Sequence, residues 1–522
     1  MTGDNGIDSL FTTQHPLGPV AVSDRQSVSV LKALYNARVQ LHMESEHDPP
    51  TFIVGRRGSG KTALLLSREF DPCNLSVRLS AQGVFSRMQA AAGLIGGRMI
   101  LTAEGAAQLW ELLLWAPIVT RLAGSDREHS DSPRAVQVLW HESAGMRRAA
   151  DGSATEDDDV LDFATLRLIE HVQDSAALVS LEHLWRSFRL GERPWIEVIE
   201  TAKEVLKSRR TPVFVLVDSL ENIGEHITQI KGVLQGLFHL AGQLGLRRGQ
   251  PSLRIQCCFP SELWPALDVI SANPIKDFSG RVVLRWHWQD LLSAVGRRLR
   301  MFLERCYPEH VKDVGVEDHE GLLARVLPPE VRTPAGIKED TIGYVLRHSQ
   351  LLPRQVLYMF NEAMHRTLVA TDSPVIRGTD IVSAVAEAEG TLCPEVFSAH
   401  QFRYPQAHDV ARRLIPFLPF LFDDSYLHRM CNQAGVSKSF GLDYREVREM
   451  FTDVGIIGKY TGETSRYLKA DFAYSAEGQM ILSPDEKYCL HPLFVRYYNS
   501  RDALASGRRI KPVYPSGTGN LP

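Results

Sequence analysis

The chain lacks any long apolar run. Its best candidate, Ala106 to Ala123, is broken by Gln108, Glu111 and Arg121, so it reads as a buried helix and not as one of the ~18-residue stretches that span a membrane. Cysteine is scarce and scattered. The seven (Cys73, Cys257, Cys258, Cys306, Cys393, Cys431, Cys489) form no CxxC pair and no paired metal-ligand spacing, the usage expected of reduced thiols in a cytosolic protein. The first residues, MTGDNGIDSLFTTQHPLGP, have neither a basic start nor an apolar core, which excludes a secretory signal. Charge of one sign is also missing: a net charge of -4 over 522 residues gives no whole-molecule attraction to nucleic acid or membrane. From residue 401 onward 16 Lys and Arg face 13 Asp and Glu, an asymmetry too mild to decide anything. No long repeat, low-complexity tract, metal cluster, nucleophile triad or nuclease carboxylate set stands out. What remains is an ordinary globular composition, 44% apolar and 23% charged, on a chain too long for one core. The expectation is a soluble, cytoplasmic protein of several domains that makes no membrane contact.

Along the chain, residues 1–48 read as an N-terminal arm followed by a helix from about Asp24 to Met43. Residues 49–305 then alternate short apolar strands with helices. Strands are expected at Thr51–Gly55, Leu75–Leu79, Pro212–Asp218, Leu253–Cys258 and Arg281–Trp286, with helices at 162–189, 195–209 and 228–244. Pro212–Asp218 is apolar almost throughout, the pattern of a parallel strand buried on both faces. The polar stretches SDREHSDSPR and DGSATEDDD mark about 124–160 as a surface insertion, partly disordered. Beyond residue 288 the strand signal stops, and helices are expected at 289–305, 318–326, 337–349, 354–369 and 379–389. After a connector at Phe397–Pro419 the chain reads helix (424–433), helix (443–453) and strands (467–474, 479–483, 487–491), with Glu477-Gly478 as a turn and 506–522 as a tail.

The most specific signal is TFIVGRRGSGKTALLL, which fits GxxxxGK[ST] at Gly55, Gly60, Lys61 and Thr62 with a strand before it and a helix after it. Glycine at 55, 58 and 60 lets the backbone turn so that successive N–H groups, Ser59 among them, converge on phosphate oxygens. Lys61 supplies a mobile cation for the β- and γ-phosphates, and the Thr62 hydroxyl a ligand for Mg²⁺. Arg56 and Arg57 either touch phosphate or are solvated loop residues. The reading is a site for ATP with Mg²⁺.

Val213–Asp218 (VFVLVD) ends in a carboxylate suited to hold that Mg²⁺ through water beside the loop. Asp218 is followed by Ser219, not by an acid that could polarise attacking water. The nearest is Glu221, which either orients water or caps the helix beginning near Asn222. Binding is therefore a firmer inference than hydrolysis.

With both motifs placed, the chain resembles the AAA+ class of P-loop ATPases, and within it the origin-recognition-type initiators and STAND-like bacterial ATPases. The resemblance covers about residues 25–500 and is strongest at GRRGSGKT and VFVLVDSLEN. It implies an α/β P-loop core, a helical lid (306–395) and a C-terminal winged-helix domain (396–505). It also implies a polar sensor after the fourth strand, for which Ser261 is the best candidate and Cys258 lies nearer the strand tip. Neither is the usual Asn or Thr. In LLPRQVLYMFNEAM the Pro-Arg pair that opens a lid helix makes Arg354 the expected sensor of the γ-phosphate. Arg281, Arg297 and Arg298 are candidate arginine fingers. In the terminal module Arg445 and Arg448 are balanced by Glu446 and Glu449, and Lys459, Arg466 and Lys469 form only a modest basic set, so protein contact weighs at least as much as DNA. His491 and Tyr488 read as core residues. The expected function is an ATP–Mg²⁺ switch and slow ATPase controlling assembly with itself or a partner effector, of a kind tied in STAND-like members to antiviral defence. A DNA-binding initiator and a non-hydrolysing scaffold are the alternatives.

Overall fold

In the computed structural model the described residues are 10–21, 32, 34, 50–96, 102–125, 133–149, 157–174, 180–208, 212–218, 231–246, 253–264, 271, 278, 280–476, 479–502 and 511–518. The chain divides into two compact units, one comprising residues 23–57 and 61–284, the other 1–22, 58–60 and 285–522.

The first unit is built on five parallel strands: β1 (Phe52–Gly55), β2 (Leu75–Ser80), β3 (Val213–Asp218), β4 (Leu253–Pro260) and β5 (Arg281–Val283), in the order β2-β3-β4-β1-β5. Parallel strands need crossover connections, and helices supply them. Successive side chains point to opposite faces, so Phe52, Val54, Val215, Val217, Ile255, Cys257 and Phe259 all join one large apolar core with the helices Ala103–Ser125, Trp195–Ser208 and Lys231–Leu246. Ile53, Leu216 and Cys258, on the alternate positions, are buried as well. That two-sided burial is why the central strands read as unbroken apolar runs. Phe52 is pinned by Phe238, Phe259 and Phe278, with ring centroids 5.0–5.9 Å away, and burying each such ring stabilises the fold by roughly 1.5–3 kcal/mol. This cluster fixes the strand that leads into the glycine-rich loop.

The insertion expected over about 124–160 needs correction. The surface insertion contains a helix, Pro133–Ala149, whose Val136, Leu139 and Met146 are buried in the main core. Those residues recur at 3 and 7, a helical stripe hidden in the sequence by polar flanks. The acidic DDD that follows opens the helix Asp157–Asp174, where acids suit the N-terminal end. Asp157 is buried and takes both oxygens of its charge to Arg121, at 2.7 and 2.8 Å, while also accepting from the Arg78 backbone.

In the second unit residues 10–21 are tied to helices. Asn361 accepts from Leu17 N at 2.7 Å and donates to Gly18 O at 2.9 Å. Helices span Trp288–Cys306, His319–Val326, Thr341–Arg347, Pro353–Thr371 and Gly378–His400. The last runs through Pro394, beyond the expected end at 389. Strands do not stop at residue 288: β6 (Glu330–Arg332) and β7 (Lys338–Asp340) form a hairpin, taking the first residues of the helix expected over 337–349. Further on, helices Asp424–Gln433 and Tyr444–Val454 precede β9 (Ile457–Glu463), β10 (Leu468–Asp471) and β11 (Lys487–Leu490). With β8 (Leu421–Asp423) and β12 (Val513–Pro515) these make a sheet of order β12-β10-β9-β11-β8. Residues 479–483, expected as a strand, are irregular, and Ile481 is exposed. The Glu477-Gly478 turn lies outside the described residues, as does the helix expected over 24–43 apart from single positions.

Candidate functional site

Parallel strands put their carboxyl ends on one edge, which is where open α/β sheets bind ligands. Register places the pieces. Gly55 pairs with Pro260 at the ends of β1 and β4, and Val217 pairs with Cys257, so Asp218 is level with Cys258, the partner of Ile53. Gly55, Asp218 and the residues after β4 therefore share one edge of the first unit's sheet.

The turn after β1 has the backbone that its composition implies. Gly58 has φ +83° and Gly60 φ +89°, values that L side chains rarely adopt. Gly55 differs from expectation: it is the last residue of β1, with ordinary strand pairing, and the sharp turning falls on the other two glycines. Ser59 between them is 2% exposed, and its Oγ has no hydrogen-bond partner. Lys61 opens the helix Lys61–Leu66, with Thr62 half-buried behind it. The Lys61 side chain is buried, and its Nζ donates to Arg56 O at 3.1 Å, so the ammonium is folded back across the loop.

After β4 the expected polar residue is only part of the arrangement. Ser261 donates from Oγ to Glu262 Oε2 at 3.3 Å, while Glu262 Oε1 accepts from Arg57 N at 3.1 Å. It is thus Glu262 that grips the loop, with Ser261 acting through it. Its only sequence signal was an acid two positions past the end of a strand that shares the loop's edge. Cys258 donates from Sγ to Lys61 O at 3.5 Å, holding the first turn of the helix. Glu221 lies outside the described residues.

Within the second unit, which includes Gly58–Gly60, two further residues meet the loop. Trp286 donates from Nε1 to Ser59 O at 2.8 Å. Arg354, in the first turn of Pro353–Thr371 with proline ahead of it, lies against Gly58: a Cβ built on that glycine would sit 3.2 Å from Arg354 Cβ and 3.5 Å from its Nε. The Arg354 guanidinium is paired through Nη1 with Glu395 Oε1 at 2.7 Å, and its buried Nε has no partner. Neither Trp286 nor Glu395 was legible as a site residue, since each is brought in only by tertiary folding.

Other candidates fall away. Arg298 is buried and spends its guanidinium on Leu17 O and Pro19 O, at 3.3 and 2.6 Å, so it is an anchor for the N-terminal segment and not an arginine finger. Arg281 stacks on Trp264, 4.6 Å from the ring centroid. Arg448 is paired with Asp424 at 2.6 Å and Lys459 with Glu486, while Arg445, Arg466 and Lys469 are exposed. His491 is fully buried, accepts from Leu493 N and meets Tyr474 Oη at 2.7 Å; Tyr488 bonds Ser483 O and Asp424. Both are core residues, as expected. Among the described residues no cluster of three or more His, Cys, Asp or Glu could hold a metal, and no helix is long and apolar enough to cross a membrane. No family model matches the chain, and no curated protein matches it.

Proposed function

We propose that the chain is an ATP–Mg²⁺-binding switch of the P-loop type, with slow hydrolysis, whose nucleotide state governs assembly with itself or a partner protein. The observation that carries this reading is the loop from Gly55 to Thr62. It leaves the carboxyl end of a buried parallel strand, turns through two glycines at positive φ, and enters a helix at a buried lysine, on the edge where Asp218 also ends. Such a turn aims backbone N–H groups at one point, a nest suited to phosphate oxygens.

The donor set fits the triphosphate and its metal. Ser59 Oγ, buried without a partner, is available to a phosphate oxygen. Lys61, released from Arg56 O, swings onto the β- and γ-phosphates. The Thr62 hydroxyl would supply an oxygen to Mg²⁺, and Asp218 would hold the ion through water. The metal's part is to neutralise charge that builds up on the phosphates. Arg354, packed on Gly58, supplies the γ-phosphate contact through its unpartnered Nε, and the Glu395 pair holds it when that phosphate is gone. The class of polypeptide partner and the winged-helix reading of residues 396–505 belong to this proposal.

The metal half of the reading is tested by titrating ATP with Mg²⁺ and with EDTA. Asp218→Ala should abolish most of the difference between the two conditions. If the variant keeps the full Mg²⁺ enhancement, Asp218 is not at the metal.

A further inference from the structure

Away from the phosphate loop, the second unit encloses a cavity of about 500 Å³. It lies among the β6–β7 turn, the end of Thr341–Arg347, the helix Gly378–His400 and the C-terminal strands. This size is typical of sites for small organic molecules. Most of the wall is apolar, including Ile337, Phe420, Leu490 and Val513. One region is not. Glu389 is 3% exposed, and its Oε2 has no hydrogen-bond partner. Its Oε1 faces His348 Nε2 at 3.9 Å, too far for a hydrogen bond. His348 Nδ1 donates to Tyr344 O at 2.7 Å, so Nε2 is the bare nitrogen of a ring that burial, with Arg347 beside it, keeps neutral.

Buried carboxyl groups in native proteins are nearly always hydrogen-bonded, and one left open at a cavity wall points to an occupant. The surrounding charges select its chemistry. Arg347 also lines the space, but its guanidinium is occupied by Glu339, at 2.7 and 3.0 Å. Arg496 is exposed at the mouth and within electrostatic reach of Glu389. Two acids line the space as well: Glu339 is taken up by Arg347 and Tyr514, and Asp502 accepts from Phe420 N and lies beside Arg501. An ammonium group would therefore meet guanidiniums and carboxylates already engaged. A carboxylate would instead pair with Arg496 and accept from the protonated Glu389, whose carboxyl burial pushes up to about 8.

We propose that this cavity binds a small molecule with one carboxylate and an apolar body, the carboxylate between Glu389 and Arg496 and the body against Ile337, Phe420 and Val513. The site is independent of the nucleotide loop and stands whether or not that loop binds ATP.

The test titrates the full chain at pH 7 with octanoate and with 3-phenylpropionate, which share the head group and separate a chain-like body from a ring-like one. Octanamide and octylamine serve as neutral and cationic controls, and binding is read by calorimetry and by the rise in melting temperature. At least one acid should bind saturably and at least tenfold more tightly than either control. Arg496→Ala, at an exposed position, should weaken the acid at least tenfold without changing the ligand-free melting temperature. Ala335→Trp, on the exposed β6–β7 turn at the cavity's edge, should block it. Three results each overturn the proposal: no saturable binding by either acid, a preference for octylamine, or acid binding that survives both substitutions.

Discussion

Removing the Glu395 carboxylate should strengthen ATP binding while leaving ADP binding alone. Arg354 cannot give its full charge to a γ-phosphate while Nη1 is held by Glu395 at 2.7 Å. The two side chains are 30% and 27% exposed, so solvent screens the pair, and an ion pair in such a setting contributes about 0.5–1 kcal/mol. A guanidinium contact to phosphate is worth more, about 1–3 kcal/mol, so ATP wins the competition but loses part of the gain in breaking the pair. Glu395→Gln removes that opposition, and ATP affinity should rise roughly two- to fivefold. Arg354→Ala should lower it by about 1–3 kcal/mol, with ADP changing much less because it lacks the phosphate being read. Paired calorimetric titrations of both nucleotides against wild type and the two variants decide the matter. If Arg354→Ala weakens ATP and ADP equally, or neither, Arg354 does not sense the γ-phosphate. If Glu395→Gln leaves ATP affinity unchanged, the pair does not compete with nucleotide.

Three more expectations can be checked on single variants. Gly58→Ala places a Cβ at φ +83° and 3.2 Å from Arg354 Cβ, so it should cost about 1–3 kcal/mol of stability in denaturant titrations; an unstrained variant would mean that the turn relaxes freely. Glu221→Gln should retain ATP binding but slow phosphate release, and equal turnover would return Glu221 to helix capping. Burial raises Glu389 from 4.5 in the unfolded chain to about 8 in the fold, so the folded state holds the extra proton and stability falls as pH rises between those values. Glu389→Gln should therefore gain roughly 2–4 kcal/mol relative to wild type on going from pH 4.5 to pH 8, and parallel stability curves would refute the shift.

How much of this was readable beforehand depended on burial. β3 was legible because a strand covered on both faces must be apolar throughout, and Val213–Val217 is. The loop was legible because positive φ demands glycine at 58 and 60. β9 was missed: Ile457–Glu463 carries Gly458 and Gly462 and reads as a turn, yet it is the central strand of its sheet, and Gly458 leaves room for Phe472, whose ring would lie 2.7 Å from an added Cβ. β6 and β7 are three residues each and mostly charged, EVR and KED, which no periodicity can reveal. The loop's outer partners, Glu262, Trp286 and Glu395, could not be inferred from spacing. Glu262 and Trp286 meet the loop from 205 and 227 residues away, and Glu395 acts through Arg354, from which it is itself 41 residues distant.

The central claim is that the turn after β1 holds a triphosphate, and titrating Lys61→Ala with ATP and Mg²⁺ beside the wild type tests it most directly. Lys61 is buried and its ammonium reaches back to Arg56 O within the loop; its loss should leave the circular dichroism spectrum unchanged. The account predicts saturable heat from the wild type and none measurable from the variant. Equal affinity in the two proteins, or no binding by the wild type, would contradict it.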